Sequence, residues 1–160
     1  EDNDLVAGAF RYADRLKDET GFARSEILIC FFDEKLFAVA KQLAEFENKP
    51  AEFIQKRGDT ELVEKAVKNQ SYVLGMPDYV GGLEFSAVLL VGVDEGRVPA
   101  NSSALWDESK AYLSYVAHNR LYVAITRAKY RILVIGSRTL GPSPILTHAL
   151  SNDILIDVSK

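Results

Sequence analysis

The sequence predicts an α/β sandwich, a mainly parallel β-sheet with helices on both faces. Two apolar runs of strand length, Ile27-Leu28-Ile29-Cys30-Phe31-Phe32 and Ala87-Val88-Leu89-Leu90-Val91, show no polar alternation, as expected of strands covered on both sides. Segments with helical spacing of apolar residues alternate with such runs along the chain. Finally, 160 residues, 48% of them hydrophobic, suffice for one core and leave little room for a second domain.

Each element follows from local pattern. Val6, Phe10, Ala13 and Leu16 fall on one helical face over residues 4–17, and Gly21 ends that helix. The first buried strand spans 27–32, with Cys30 as a small core residue. Asp33 is placed to cap the next helix, whose apolar face is Leu36, Val39, Ala40, Leu43 and Phe46 and which stops at Asn48 and Pro50. Residues 51–70 are more polar, with a short helix around 61–67. A short strand at 71–74 is broken by Gly75 and Pro77, and Gly81-Gly82 marks a turn. The run 87–91 is the strongest strand signal. After a polar loop at 94–104, Leu113, Val116, Arg120, Val123 and Arg127 recur at helical spacing between Trp106 and Ala128. A strand at 130–135 closes at Gly136; a short helical segment at 146–150 and an edge strand at 154–158 complete the chain. Ligands of such a sheet are expected beyond the carboxyl ends of its strands.

Composition excludes several classes. The apolar fraction does not suit a disordered tail, and one Cys supports neither a disulfide scaffold nor a cysteine-based zinc cluster. No apolar run approaches the ~18 residues of a membrane span, so no membrane partner is expected. The chain opens at Glu1 with no basic-then-apolar leader, and it is expected to be a piece of a longer, cytoplasmic protein. Residues 1–80 carry 16 acids and 11 bases, whereas 81–160 carry 7 and 8. Between Ser109 and Asn152 there is no Asp or Glu, while Lys110, Arg120, Arg127, Lys129, Arg131 and Arg138 all fall there. That stretch is either a solvated face or a local positive site for phosphates.

Three constellations could carry chemistry. Val88–Val93 followed by Asp94-Glu95 has the form of a strand presenting magnesium-binding acids, but no Gly is followed by Lys, so the phosphate loop that chemistry requires is missing. These acids then read as a loop leaving a strand. The pairs Asp33/Glu34 and Asp107/Glu108 fit helix starts, and Trp106 reads as a packing residue. Arg127 lies in a mostly apolar segment just before a strand, where a guanidinium must bind an anion, pair with a core carboxylate or reach the surface. In Gly81-Gly82-Leu83-Glu84-Phe85, the glycines allow close backbone approach and a carboxylate follows that could accept bonds from sugar hydroxyls; a plain turn before a strand has the same pattern.

Together these segments resemble a known family. Gly82-Leu83-Glu84-Phe85-Ser86-Ala87-Val88 resembles the "GLEFdaV" core of motif V in UvrD/Rep-like superfamily 1 DNA helicases. Residues 91–99, VGVDEGRVP, resemble the "EGxxP" loop that follows, and residues 121–129, LYVAITRAK, resemble motif VI. The likeness spans most of the chain and is most specific over 82–136. It implies the second RecA-like domain of a helicase motor, carrying motifs V and VI, in residues 1–160. ATP and Mg2+ would then be held mainly by the first RecA-like domain of the same polypeptide, and single-stranded DNA would be the track. Carried over by position, Arg127 would contact the γ-phosphate as the catalytic arginine, Glu84 would bond the ribose and Gly82 would permit close approach. Tyr122 and Thr126 would orient the motif VI helix. No metal ligand is implied on this chain.

The departures are specific. Where the family places a Thr, a His and a Lys in motif V, this sequence has Met76, Asp78 and Gly81, and no nucleic-acid contact carries over there. Arg120 occupies an apolar family position. The chain is therefore expected to be either a motor domain, inactive when isolated, or a helicase-derived binding or regulatory module without motor activity.

Overall fold

The computed structural model describes residues 1–100 and 106–156. Helix α1 (Asp2–Thr20) leads through a 3-10 turn at Arg24–Glu26 into β1 (Ile27–Phe31). Then come α2 (Glu34–Phe46), β2 (Ala51–Phe53), α3 (Thr60–Asn69), β3 (Tyr72–Gly75) and β4 (Phe85–Val91). Helix α4 (Asp107–Ile125), β5 (Ala128–Ile135), a 3-10 turn at Pro144–Leu146 and α5 (Thr147–Ser151) follow. The five strands form one sheet in the order β2-β3-β1-β4-β5, and every pairing is parallel. The expected α/β class is thus present, with all described strands parallel.

Alternating strand residues build two cores. Ile27, Ile29, Phe31, Leu74, Leu89 and Val91 meet α1 and α2 on one face. Leu28, Cys30, Val73, Val88 and Leu90 meet Ala66 of α3 and Ala117, Leu121 and Ala124 of α4 on the other. Every residue of β1, β3 and β4 is buried, which explains why their sequences lack alternation. Each fully buried leucine there contributes ~1.5–3 kcal/mol of transfer free energy.

The helix boundaries have local causes. Gly21 ends α1 at φ 76°, and its N–H bonds the Lys17 carbonyl. Asp33 caps α2 by accepting from the N–H groups of Lys35 (2.7 Å) and Leu36 (3.1 Å). Asp107 and Glu108 occupy the first turn of α4, as their charge favours.

Several expectations need correction. Strand β2 lies in the stretch read as more polar, where the sequence predicts no strand; only three residues long, it is too short for a period-2 signal, and Glu52 pairs with Lys65 and accepts from Asn69. Phe46, expected on the buried face of α2, is the last residue of that helix and is 88% exposed. Trp106 does not pack: it is 84% exposed at the N-cap of α4. The buried line of α4 runs through Ala117, Leu121 and Ala124, with Leu113, Val116, Val123 and Arg120 half-buried beside it. That helix stops at Ile125, short of Ala128, because the Arg127 carbonyl accepts from Phe85 N–H at 2.8 Å and opens the β4–β5 ladder. At the end of the chain, residues 154–156 form no strand. The N–H groups of Ile154 and Leu155 both bond the Ala149 carbonyl and so close α5 instead. Residues 157–158 of that expected strand lie outside the described residues.

Candidate functional site

Arg127, Thr126, Gly82 and Glu84 come together at the amino ends of β4 and β5. The general expectation for such a sheet places ligands at the opposite, carboxyl ends. The meeting is built by backbone: the Phe85–Arg127 hydrogen bond sets the turn after α4 against the turn before β4. Side chains reinforce it. Arg127 Nη1 donates to the Leu83 carbonyl, Nε to the Val123 carbonyl and Nη2 to Thr126 Oγ1, each at 3.1 Å. The Thr126 hydroxyl itself donates into the last turn of α4, toward the carbonyls of Tyr122 (2.9 Å) and Val123 (3.0 Å).

All three acceptors of the guanidinium are neutral. Among the described residues no carboxylate lies within 4.0 Å of it, so its orientation is fixed while its charge stays uncompensated. Among the described residues Arg127 is therefore not half of a core ion pair. Its neighbours in the acid-free stretch differ. Arg120 pairs with Asp78 at 2.8 Å, Lys129 with Glu84 at 3.3 Å and Lys110 with Asp107 at 3.7 Å.

Gly82 has φ 85°, and a Cβ built on it would meet no atom within 4 Å. The glycine is needed for its backbone conformation, and the space beside it is open. Glu84 is exposed, with its carboxylate toward Lys129. Tyr122 is 70% exposed, so its ring does not brace α4; its carbonyl holds Thr126. Glu26 lies behind this edge, where the Ala23 N–H and then the Ser86 hydroxyl stabilise its charged form and hold its carboxyl below the usual range.

The carboxyl ends carry two other features. Phe32, Glu34, Met76, Asp78, Tyr79, Val116 and Arg120 line a cleft of about 330 Å³. Arg120 spans it, donating to the Phe32 carbonyl (3.3 Å) and to Asp78. Sequence reasoning left Arg120 unassigned, since its partners lie 42 and 88 positions away. Past β4, Asp94 is completely buried. Its carboxylate accepts from Ser137 N–H at 2.9 Å and faces Arg97 at 3.6 Å. Burial pushes its carboxyl above the usual range, against the opposing effects of Ser137 and Arg97. Asp94 thus ties two loops together, in keeping with the reading of Asp94-Glu95 as a loop rather than a metal site. Among the described residues no group of three or more His, Cys, Asp or Glu side chains is placed to hold a metal ion. No described helix is long and apolar enough to cross a membrane.

No protein-family model matches the chain, and no curated protein matches it. The fold does have a solved counterpart. It is similar to the crystal structure of the C-terminal domain of a possible DNA helicase from Lactobacillus plantarum WCFS1, with a TM-score of 0.57 at 15% identity, over 92% of this chain and 74% of that one. The α/β sandwich, consistent with a RecA-like domain, is therefore an arrangement found in a helicase-related protein.

Proposed function

We propose that this chain is the second RecA-like motor domain of a UvrD/Rep-like superfamily 1 DNA helicase, which completes an ATP site against a first motor domain and couples hydrolysis to movement on single-stranded DNA. The observation that carries this reading is Arg127, a guanidinium oriented by three neutral acceptors beside the Gly82-Leu83-Glu84 turn and, among the described residues, without a carboxylate partner. Such a group is preorganised for an anion. Its planar donor fork suits phosphate oxygens and is worth most where negative charge develops during phosphoryl transfer.

The residues present fit one side of a nucleotide. Arg127 would face the γ-phosphate, Glu84 would accept from the ribose hydroxyls after releasing Lys129, and the open space at Gly82 would admit the sugar–phosphate. Thr126 would hold the arginine in register. Mg2+ activates the phosphates in this chemistry, and its donors would come from the partner domain, together with a G-x-x-x-x-G-K-[ST] loop. The isolated chain should accordingly hydrolyse no ATP.

The test uses the intact two-domain protein. Arg127→Ala should lower kcat by ~10³–10⁵, the range for arginine fingers, while changing the KM for ATP far less. Arg127→Lys should recover little of this, since the ammonium lacks the fork. An unchanged kcat in Arg127→Ala would remove the proposed role.

A second reading, a helicase-derived nucleic-acid or protein-binding regulatory module without motor activity, is favoured by one feature. The cleft where the family contacts nucleic acid holds Asp78 bonded to Arg120, with Glu34 nearby, which disfavours a phosphate backbone. A parent polypeptide lacking the phosphate loop, with no DNA-stimulated ATPase, would decide for the module.

A further inference from the structure

Helix α4 is two-sided. Ala117, Leu121 and Ala124 form the seam that packs on the sheet. Directly opposite, Glu108, Tyr112, Tyr115, Asn119, Tyr122 and the C-cap Thr126 follow one another at alternating steps of four and three residues, and all six are exposed. At ~100° per residue these positions stay within about 40° of one line along the helix. Tyr112, Tyr115 and Tyr122 are 66, 64 and 70% exposed. Single exposed apolar side chains are ordinary, but a solvated helix face is better built from Glu, Lys and Ala, which favour helix more than Tyr or Asn. A stripe with this spacing is the seam along which one helix packs on another.

The stripe also reads the same from either end. Its midpoint is position 117, so a second α4 lying antiparallel sets Tyr112 against Tyr122, Tyr115 against Asn119, and Glu108 against the Thr126–Arg127 end. Each of these pairs is complementary: ring on ring, phenol on amide, carboxylate on guanidinium. Among the described residues Glu108 makes no ion pair, the first turn of α4 having only Asp107 with Lys110. Arg127 likewise has no carboxylate partner among them, and its Nη2 lies 3.1 Å from Thr126 Oγ1, at the end of the stripe. Parallel packing would instead set Glu108 against its own copy. Opposed helix dipoles favour the antiparallel order as well.

We propose that this face of α4 docks a second copy of the chain, as a two-fold antiparallel helix pair. The stripe is about 27 Å long and one helix wide. That is less than the ~800 Å² per partner of a standard interface, so the dimer is weak and reversible. The pairing does not rest on the proposed function; where that function holds, nucleotide and the second copy compete for Arg127.

Sedimentation equilibrium of residues 1–160 tests it. A monomer–dimer equilibrium with a dissociation constant between about 10 µM and about 1 mM is expected. Tyr115→Glu should weaken dimerisation about tenfold or more. It should leave the urea midpoint unchanged at low micromolar concentration, since that ring faces away from the core; Tyr112→Glu serves if this variant does not fold. Register is read by cross-linking. In an oxidised equimolar mixture of Tyr112→Cys and Tyr122→Cys chains, the mixed 112–122 disulfide should dominate, and buried Cys30 does not compete. A chain that stays monomeric at millimolar concentration overturns the proposal. So does a dimer indifferent to both glutamate variants, or a mixture dominated by 112–112 disulfides.

Discussion

Gly82 and Gly92 form a matched pair that separates backbone strain from steric surroundings. Their φ values are 85° and 81°, so alanine at either position must adopt the left-handed region, at ~1–2 kcal/mol. Beyond that the sites diverge. A Cβ on Gly82 meets nothing within 4 Å, whereas one on Gly92 would sit 2.5 Å from Cδ1 of the fully buried Leu36. Relieving that overlap means moving a core side chain, typically ~1–3 kcal/mol more. Gly82→Ala should therefore destabilise residues 1–160 by about 1–2 kcal/mol and Gly92→Ala by about 2–5, read from urea unfolding at constant slope. In a chain of this size the gap corresponds to roughly 2–10 °C in Tm. The functional contrast should run the other way. In the intact protein Gly82→Ala places a methyl where the nucleotide is proposed to lie and should raise the KM for ATP, while Gly92→Ala, once folded, should bind ATP normally. Equal destabilisation by the two variants would refute the open space at Gly82. An unchanged KM in Gly82→Ala would refute its occupation by nucleotide.

Three further outcomes are expected. Thr126→Val removes one of the three acceptors holding Arg127 while keeping side-chain volume; it should leave the stability of 1–160 within about 1 kcal/mol and, on the proposed function, lower kcat of the intact protein roughly ten- to a hundredfold, by steady-state ATPase assay. Asp33→Ala strips the cap from two N–H groups of α2 and should lose about 1 kcal/mol in urea unfolding. The folded-state carboxyl of Asp94 is raised by burial, so the native chain takes up this proton at a higher pH than the unfolded chain. As pH falls through that raised value toward the ordinary one, the wild type should gain stability relative to Asp94→Asn, which cannot titrate; urea unfolding at pH 7 and pH 5 with the difference moving the other way would contradict this.

The legible parts of the fold were those dictated by short-range physics. Uninterrupted apolar runs could only be doubly covered strands, and β1 and β4 are fully buried. Asp33 and Gly21 sit where cap chemistry requires them. What stayed hidden depended on distant partners. Ala117, Leu121 and Ala124 form the seam of α4 because small residues let that helix approach the sheet, yet a pattern weighted toward large apolar residues points to the flanking positions. β2 exists because Tyr72 N–H finds the Pro50 carbonyl and Ile54 N–H the Leu74 carbonyl, pairings no local signal encodes. At the site, the sequence singled out Arg127 and the Gly82–Glu84 turn separately; the Phe85–Arg127 backbone bond and the Arg127 bond to the Leu83 carbonyl join them. Arg120 could not be placed at all without knowing that Asp78 and Phe32 meet it across the cleft.

The two ends of the sheet therefore have different electrostatic roles. At the carboxyl ends two arginines are already committed: Arg120 to Asp78, and Arg97 to Asp2 and the buried Asp94. An anion arriving there must displace a carboxylate, and at Asp94 it would strand a buried charge, a penalty of several kcal/mol. At the amino ends of β4 and β5 the opposite holds. Arg127 is bonded to carbonyls and a hydroxyl that orient it without neutralising it, so on the proposed function a phosphate would meet an aligned cation at little reorganisation cost. The acid-free stretch that the composition exposes is thus not uniformly positive. Among the described residues three of its six bases are paired with carboxylates, while Arg127 is held by neutral acceptors between two backbone turns. On the proposed function that division matters, since a cation neutralised within its own domain would have nothing left to offer a nucleotide held by a second one.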